Sequence, residues 1–339
     1  MEGKTCKSWL ILAVLSLLLS HFSPALACSR VFWNDNPVAN ITGRTMDLQV
    51  NDEPGWWVFP RGMQRNGLAG PNSLTWTSTY GSVSLVANLF LGMTSDGLNE
   101  AGLKVQTLYL GGSKYEKRDQ RPGVNQGMVC QFLLDSFKTV QEALNGLGQW
   151  QCVPIPLPSG EIFPVHYALE DASGDSAVIE YVKGRMVVYH GRQYRVMTNE
   201  PPLKEQLNLL RRYRGFGGPL YLPGNDDSKD RFVRGSYLLK NLPPPSNAQE
   251  AVFTMLAVMN NVSAPFSTVW DTWPTWWRSV TDQTNLVYYF QSTIRPNLIW
   301  VNLANFNFAP GAPPMHLDPL TPGLTGEVSG AFVPSVPPQ

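Results

Sequence analysis

Cys28 is the residue of this sequence with the clearest capacity for chemistry, because it directly follows Ala25-Leu26-Ala27. If the chain is cleaved between Ala27 and Cys28, the new N-terminal residue holds a nucleophilic thiol and a base, its own α-amine. A free α-amine has a reference pKa of about 7.7–8.0, so it is partly neutral near pH 7 and can accept the thiol proton. The position of this cysteine therefore predicts a thiol–amine catalyst that needs no histidine.

Residues 1–27 have the composition of a secretory signal peptide. Lys4 and Lys7 precede an apolar run over 9–20, and small residues stand at the −3 and −1 positions before Cys28. The apolar run is shorter than the roughly twenty residues that span a bilayer. We therefore expect cleavage between Ala27 and Cys28, no membrane span, and a secreted or periplasmic mature protein. In that reading, export itself activates the catalyst.

A lipoprotein signal is the competing interpretation of this leader, since it also ends before a cysteine, which is then acylated. Such signals usually have Leu at −3, whereas this chain has Ala25 at −3 and Leu26 at −2. Acylation would abolish the use of Cys28 as a nucleophile. The sequence disfavours lipidation without deciding the point.

A carboxylate and a guanidinium follow at a spacing that can return them to the N-terminus. Arg44 and Asp47 stand sixteen and nineteen residues after Cys28. If 31–33 and 42–48 form paired strands, both side chains come back beside the cysteine. The carboxylate would then hold the amine and the guanidinium would favour the thiolate. The alternative is an ordinary ion pair on the surface.

The composition excludes several other classes of site. The 339 residues are 43% hydrophobic and have a formal net charge of zero, which is typical of a globular protein and gives no indication of nucleic-acid binding. Four cysteines and four histidines, without a Cys-x-x-Cys or His-x-x-x-His pair, argue against a structural zinc site. Loss of the leader leaves Cys28, Cys130 and Cys152, and this odd number favours one free thiol. Cys130 and Cys152 are either a disulfide or two buried thiols.

The elements that must position these residues alternate in a clear order. Strand patterns precede helical ones, and strands return before a proline-rich segment that begins at about 309. This order predicts one α+β domain over 28–339, with antiparallel sheets sandwiched by helices and an extended tail over the surface. The predicted helices are 124–138, 139–147 (capped by Thr139), 230–242 and 247–262. The predicted strands include 29–33, 41–50, a hairpin with Gly81 at its turn, 95–110, 163–171, 176–182, 185–190, 194–199, 279–292 and 297–308.

Four separated motifs carry a resemblance to a known family: "CSR…GRTMD", "DGLNEAGLKVQTLY", "VMTNEP" and "LPGNDDSKDRFVRGSYL". In this order they resemble the choloylglycine hydrolase family, which includes penicillin V acylases and conjugated bile salt hydrolases. The resemblance covers nearly the whole chain after Cys28. It implies an N-terminal-nucleophile (Ntn) hydrolase with a four-layer αββα sandwich, no cofactor, a small N-acyl amide as substrate, and a homo-oligomer, commonly a tetramer.

The resemblance also assigns roles to individual residues. Cys28 resembles the nucleophile, and Arg44 and Asp47 the pair that steadies it. Asn199 resembles the family asparagine that donates to the oxyanion, and the backbone amide of Tyr109 the second donor. Tyr at position 109 favours a penicillin V acylase over a bile salt hydrolase, which tends to have Asn there.

Arg231 resembles the family's active-site arginine, and Arg234, about one helical turn later, is the alternative. Two tryptophan groups are candidates for an acyl pocket, and the core of the protein is the competing place for both. Trp56 and Trp57, which follow Asp47 closely, are the better candidates. The other group is Trp270, Trp273, Trp276 and Trp277.

The predicted function is hydrolysis of a non-peptide amide through a thioester on Cys28. Penicillin V and N-acyl homoserine lactones, whose cleavage quenches quorum signalling, are the expected substrates, with conjugated bile salts less favoured. Two alternatives stay open. One is an amidase of the N-acylethanolamine or ceramide type, and the other is an exported binding protein that has lost the reaction.

Overall fold

The computed structural model describes residues 28–267, 273–295 and 297–338. The expected signal peptide, residues 1–27, lies outside the described residues. The α-helices are α1 (Val129–Ser136), α2 (Val140–Gly146), α3 (Leu203–Leu210), α4 (Ser228–Lys240) and α5 (Ala248–Asn261). The first ten strands are β1 (Ser29–Trp33), β2 (Ile41–Asp47), β3 (Pro54–Phe59), β4 (Gln64–Asn66), β5 (Thr75–Thr77), β6 (Ser82–Ala87), β7 (Met93–Asn99), β8 (Lys104–Tyr109), β9 (Gly123–Asn125) and β10 (Gln151–Val153). The others are β11 (Val165–Glu170), β12 (Ser176–Val182), β13 (Arg185–His190), β14 (Val196–Thr198), β15 (Thr275–Asp282), β16 (Val287–Ser292), β17 (Leu298–Asn302), β18 (Met315–Leu317), β19 (Gly326–Glu327) and β20 (Val333–Pro334).

Two large sheets contain most of these strands. One has the order β14-β1-β2-β15-β16-β17-β19, and the other has the order β13-β12-β11-β8-β7-β6-β3-β18-β20. Neighbouring strands are antiparallel in both, apart from the parallel pair of β17 with β19. β4 pairs with β5, and β9 pairs in parallel with β10, outside these sheets.

The helices cover the outer faces of the two sheets. α4 packs on β14 and β1, and α5 packs on β2 and β15, so both lie against the seven-stranded sheet. α1 packs on β7 and β8 of the nine-stranded sheet. The inner faces meet in one core, where Tyr288 and Phe290 of the first sheet contact Trp56 of the second, beside Leu85. This is the predicted αββα sandwich, and the predicted fold class is confirmed.

Charged side chains cross the space between the sheets. Arg30 on β1 donates to Glu170 on β11, with 2.7 Å between Nε and Oε1, and both side chains are fully buried. Asp96 on β7 accepts from Ser279 on β15 at 2.6 Å and is paired with Lys104. Because unpaired charges are very costly inside a protein, each contact favours one relative position of the two sheets.

Strand β2 presents different chemistry on its two faces. Gly43 faces the helical layer, where a Cβ atom would lie 2.7 Å from Cγ of Met259 on α5. Since successive side chains alternate, Asp47 also faces the helices, whereas Arg44 faces the nine-stranded sheet. The missing side chain at Gly43 thus allows α5 to approach the strand that carries both predicted site residues.

Several local predictions agree with the structure and some do not. The break between α1 and α2 is where the sequence places it, and the Thr139 hydroxyl accepts from the Glu142 amide at 3.2 Å. The hairpin at Gly81 is wrong, because β5 pairs with β4 while β6 pairs with β3 and β7. A Cβ at Gly81 would lie 2.2 Å from the Phe308 ring, so this glycine reflects close packing. Helix α3 was not predicted.

The proline-rich segment does more than cover the surface. β18 and β20 extend the nine-stranded sheet from β3, and β19 extends the seven-stranded sheet from β17. Leu317 and Phe332 of this segment are buried in the core between the sheets. Cys130 and Cys152 are buried free thiols, which answers the question that the sequence left open. Within the described ranges, every helix is too short or too polar to cross a membrane.

Candidate active site

Cys28 lies directly before β1 and is buried, with 2% of its surface exposed. The predicted pairing of the first two strands is correct, because β1 and β2 are antiparallel with Ser29 opposite Thr45. This register places Cys28 beside Asp47. The Asp47 amide lies 3.5 Å from Sγ, and Sγ lies 3.7 Å from the Asp47 carbonyl oxygen. The hairpin is therefore what brings residues nineteen positions apart into contact.

Asp47 has a full set of partners around its carboxylate. Arg231 of α4 donates to Oδ2 at 2.6 Å, and both side chains are completely buried. Thr45 donates to the same oxygen at 3.0 Å, and Thr275 donates to Oδ1 at 2.5 Å. The sequence predicts that Asp47 and Arg44 both act on Cys28, and it offers an ion pair between them as the alternative. Among the described residues, the cation bonded to Asp47 is Arg231.

Arg44 has a different role in the structure. Its guanidinium donates to the carbonyl of Thr107 at 2.7 Å and to that of Ser95, and it lies over the Trp277 ring at 5.4 Å. It nevertheless lines the small pocket at Cys28, so its positive charge acts on the thiol. The two predicted residues both return to Cys28, on opposite faces of β2. They do not form the surface ion pair considered as the alternative.

Asn199 follows β14, the neighbour of β1 on the side away from β2. Its side-chain oxygen accepts from the Cys28 nitrogen at 2.5 Å, and its side chain is fully buried. Its Nδ2 atom has no hydrogen-bond partner among the described residues. An unsatisfied buried donor is costly, so this group has the chemistry of a donor that awaits a ligand oxygen.

Tyr109 is the last residue of β8. Leu110 donates its amide to Pro164 at 3.0 Å, and antiparallel bonds alternate, so the Tyr109 amide faces away from β11. On its other side, the paired part of β8 with β7 ends at Gln106. The Tyr109 ring packs against Phe163, with 5.1 Å between centroids. The amide thus lies outside the hydrogen bonds of β8 with β11, at a residue that lines the pocket beside Cys28.

The pocket beside Cys28 is narrow and mostly apolar, with a volume of about 10 Å³. Its lining is Cys28, Arg44, Met46, Leu48, Ala87, Phe90, Met93, Thr107, Tyr109 and Phe163. Trp56 and Trp57 are absent from it, and their assignment to the pocket is wrong. Trp56 packs in the core against Tyr288, and Trp57 stacks on Phe59. Both belong to β3, in which Pro54, and neither tryptophan, pairs with the pocket residue Ala87 of β6.

The second tryptophan group contributes one residue here. Trp273 contacts the Tyr109 ring, with 5.6 Å between centroids, whereas Trp277 belongs to the core and Trp276 packs on Phe266. Trp270 lies outside the described residues. Apart from Thr107, the pocket residues that the sequence analysis missed are alanine, leucine, methionine and phenylalanine, which have no signature that distinguishes them from core residues.

Burial dominates the electrostatics of the thiol. Desolvation, and then the charge of Asp47, raise the pKa of Cys28 from 9.0 to about 11, while Arg44 and Arg231 act in the opposite direction. In the full-length chain the Cys28 nitrogen is part of a peptide bond and cannot accept a proton. The thiol of that chain is therefore neutral and unreactive at neutral pH.

Comparison with known proteins decides the family. The family model for linear amide C–N hydrolases of the choloylglycine hydrolase family matches residues 28–312. The chain belongs to this family. It is an amide hydrolase by that membership, and its matched region begins at Cys28.

Individual members of the choloylglycine hydrolase family are similar over almost the full length. The chain is 36% identical to penicillin V acylase from Pectobacterium atrosepticum, in a match that covers 99% of this chain and 98% of the relative. The structure of penicillin V acylase from Agrobacterium tumefaciens superposes with a TM-score of 0.84 at 35% identity, over 92% of this chain and 99% of that one. A conjugated bile acid hydrolase variant from Clostridium perfringens has a TM-score of 0.71 at 19% identity, over 86% and 96% of the two chains. This last likeness concerns the fold.

Glu200 is a polar residue next to Asn199 that the sequence analysis quoted within a motif but did not single out. Its Oε1 atom accepts from the Gly111 amide at 2.5 Å, and it directly follows Asn199. Gly111 stands two residues after Tyr109. One carboxylate thus links the segment that holds Asn199 to the segment that holds the Tyr109 amide. Burial raises the pKa of Glu200 above its ordinary value.

Arg231 is the arginine that reaches the site, and the alternative Arg234 is not. Arg234 lies half-buried on α4 and donates to the carbonyl oxygen of Asn225 at 2.5 Å. Taken together, Cys28 has beside it a buried carboxylate with its own cation, the side chain of Asn199, and Tyr109 in the lining of the same pocket. This arrangement is suited to acyl transfer from an amide.

Proposed function

We propose that Cys28, freed by removal of residues 1–27, is the nucleophile of this amide hydrolase. The α-amine of Cys28 takes the thiol proton, and the thiolate attacks the carbonyl carbon of the substrate amide. The contact between Asn199 and the Cys28 nitrogen supports this role for the amine, since it fixes the base next to its own thiol. The unpartnered Nδ2 of Asn199 is the single observation that carries the proposal.

The tetrahedral oxyanion lies between Nδ2 of Asn199 and the amide of Tyr109. Loss of one such donor in other acyl-transfer enzymes lowers kcat by about 10²–10³. As the carbon–nitrogen bond breaks, the protonated α-amine returns its proton to the departing amine. A thioester on Cys28 remains, and water activated by the same α-amine hydrolyses it to the free acid. Each proton taken by the α-amine is thus given back within one cycle.

Export and cleavage between Ala27 and Cys28 complete the proposal. The family match begins at Cys28, which supports cleavage at that bond. Cleavage converts the Cys28 nitrogen from an amide into a base, so a competent nucleophile arises only in the mature protein. We place the mature protein outside the cytoplasm, in the periplasm or secreted. Its assembly into a homotetramer rests on the family resemblance, and sedimentation of the mature protein tests it.

The proposed substrates are penicillin V and N-acyl homoserine lactones. Both are N-acyl amides with an apolar acyl group, which suits the apolar lining around Cys28. The relative of 36% identity is named a penicillin V acylase, and the bile acid hydrolase is a distant likeness at 19%. Conjugated bile salts are for these reasons the weaker candidates.

The test is amine release by the mature protein from penicillin V, a long-chain N-acyl homoserine lactone and glycocholate. We expect hydrolysis of the first two, and complete loss in Cys28→Ala. The matched control is Cys130→Ala. It also removes a buried free thiol, but this thiol lies on α1, in the apolar cluster between that helix and the nine-stranded sheet. Turnover that survives in Cys28→Ala, or no turnover of any of the three amides, contradicts the proposal.

A further inference from the structure

A second apolar cavity adjoins the pocket at Cys28. This distal cavity has a volume of about 250 Å³, against about 10 Å³ for the pocket at Cys28. A cavity of roughly 150 Å³ is already large enough to bind benzene. Its lining is Leu68, Phe90, Leu91, Met93, Asn125, Gln126, Gly127, Met128, Ile155, Pro156, Leu157 and Phe163. None of these residues carries a charge.

Three residues belong to both spaces: Phe90, Met93 and Phe163. We call them the wall. The Phe90 and Phe163 rings are in contact, with 4.8 Å between centroids, and Phe163 also contacts Tyr109. Through Phe163, the wall therefore contacts Tyr109, whose amide is the proposed oxyanion donor.

Two of the three wall residues, Phe90 and Phe163, lie outside the α-helices and β-strands, and Met93 is the first residue of β7. Phe90 ends a short 3₁₀ turn and is followed by Leu91 with φ of 57° and Gly92 with φ of 80°. Phe163 lies between β10 and β11, and all three wall residues are half-buried. Side-chain and loop movements take nanoseconds to microseconds, far faster than a typical turnover of about 10 s⁻¹.

Geometry leaves one continuation for a long acyl chain. A carbonyl carbon at Sγ of Cys28, with its oxygen at Asn199 and Tyr109, directs the acyl group into the narrow pocket. That pocket holds little more than one water-sized group, so further carbons must displace the wall. Beyond the wall lies the distal cavity, whose rim includes the exposed side chains of Leu68 and Leu91, at 43% and 61% exposure.

We propose that the distal cavity binds the far end of a straight, uncharged acyl chain, and that Phe90, Met93 and Phe163 set the chain length at which it becomes used. This inference rests on the proposed function. Two amide side chains line the cavity. Gln126 bonds both the amide and the carbonyl of Ile155, at 2.7 and 2.9 Å, and Oδ1 of Asn125 accepts from the Gly127 amide at 2.8 Å. The cavity therefore offers apolar contact without a demand for a polar ligand group.

The experiment measures kcat/KM for homoserine lactones with butanoyl, hexanoyl, octanoyl, decanoyl and dodecanoyl chains. Each methylene that enters an apolar cavity contributes about 0.8 kcal/mol, so kcat/KM rises roughly fourfold per methylene once the chain passes the wall. A plot of log kcat/KM against chain length should turn upward at that length. A flat or falling plot overturns the inference.

Ile155→Trp fills the distal cavity from its far side, because the paired backbone of residue 155 keeps the new side chain pointing inward. We expect it to lower the decanoyl-to-butanoyl ratio of kcat/KM by about tenfold or more. Ile162→Trp is the matched control, because Ile162 is 44% exposed and lines neither space. It should leave the ratio unchanged. Leu157→Trp repeats the test if Ile155→Trp fails to fold, as judged by thermal unfolding.

The two proposals fail in different ways. If Cys28-dependent hydrolysis of penicillin V and butanoyl homoserine lactone is observed but both filling variants keep the wild-type ratio, the distal cavity is not a binding site. If no amide is hydrolysed at all, the proposed function fails first, and the inference falls with it.

Discussion

Among single residues, Asp47 connects the reaction centre to the rest of the molecule. Its backbone touches Sγ of Cys28, while its carboxylate is bonded to Arg231 on a helix and to Thr45 and Thr275 on two neighbouring strands. A carboxylate with this many donors is held in one orientation. Its charge close to the thiol is tolerated because the cation of Arg231 balances it.

Arg231→Met is expected to destabilise the protein strongly, because it leaves the Asp47 charge buried without its cation. Breaking a buried ion pair by removing one partner typically costs about 3–5 kcal/mol. The free energy of unfolding in urea measures the loss. Arg234→Met is the matched control on the same helix, since Arg234 is half-buried and bonds backbone carbonyls near the surface. Its effect should stay within about 1 kcal/mol.

The double variant Asp47→Asn with Arg231→Met separates charge from packing. The double variant should lose less free energy of unfolding than the two single variants do in sum, because each single variant leaves one buried charge without its partner and the double variant leaves none. Additive losses would show that the pair contributes through packing alone.

Glu200→Ala is expected to lower kcat about tenfold with little change in KM. The substitution removes the acceptor of the Gly111 amide, so the segments of Asn199 and Tyr109 lose the bond that holds the two donors at a fixed separation. Glu200→Gln keeps an acceptor oxygen and should restore most of kcat. Steady-state kinetics on penicillin V give both values. A loss of the same size in Glu200→Gln, or a loss confined to KM, argues against a positioning role.

Among secondary-structure elements, strand β2 determines how the site is assembled. One face meets α4 and α5 and the other meets β7 and β8, so its alternation sends Asp47 and Arg44 to opposite layers. The strand is buried along its whole length. Any change in its distance from α5 therefore moves both residues.

Gly43→Ala is expected to reduce the free energy of unfolding by about 1–3 kcal/mol, because a Cβ atom would lie 2.7 Å from Met259 and 2.8 Å from Met255. Gly148→Ala is the matched control, because its Cβ meets nothing within 4 Å and should leave stability nearly unchanged. Met259→Ala combined with Gly43→Ala should recover part of the loss. Equal stabilities of the two alanine variants would contradict the packing argument.

Residues could be predicted where local chemistry decides the structure. The cap at Thr139, the pairing of the first two strands, and Cys28 with Asp47 follow from short stretches of sequence. Asn199 was assigned through the family resemblance. Arg231 as the partner of Asp47 needed the fold, because 184 positions separate them. The prediction that Trp56 lines the acyl pocket failed for a related reason. Trp56 follows Asp47 closely in sequence, but it lies on β3 of the other sheet and packs in the core.

For the molecule as a whole, the proposed function makes removal of residues 1–27 the step that creates the catalyst. Ala27→Lys is expected to block cleavage, since signal peptidase sites need a small residue at −1. The uncleaved chain should be inactive. Its thiol, with a pKa of about 11, is about 0.1% ionised at pH 8, so alkylation should quicken tenfold per pH unit up to about pH 11. Mass spectrometry follows cleavage and alkylation together.

Leu26→Lys is the matched control. It introduces the same lysine charge next to the cleavage site, but at position −2, which has no requirement for a small residue. We expect it to be cleaved before Cys28 and to be active. Active enzyme from the Ala27→Lys chain with residues 1–27 still attached would contradict activation by cleavage.

The last strands of the chain have a consequence for how copies of the protein meet. β20 ends one sheet and β19 ends the other, and both come from a segment that lies beyond the region matched by the family model. Each is two residues long, and β20 contains Pro334, which has no amide to donate. A neighbouring molecule that approaches either margin finds almost no backbone with which to pair. The terminal segment thus gives one margin of each sheet a very short edge strand, which disfavours pairing with a second chain at that margin.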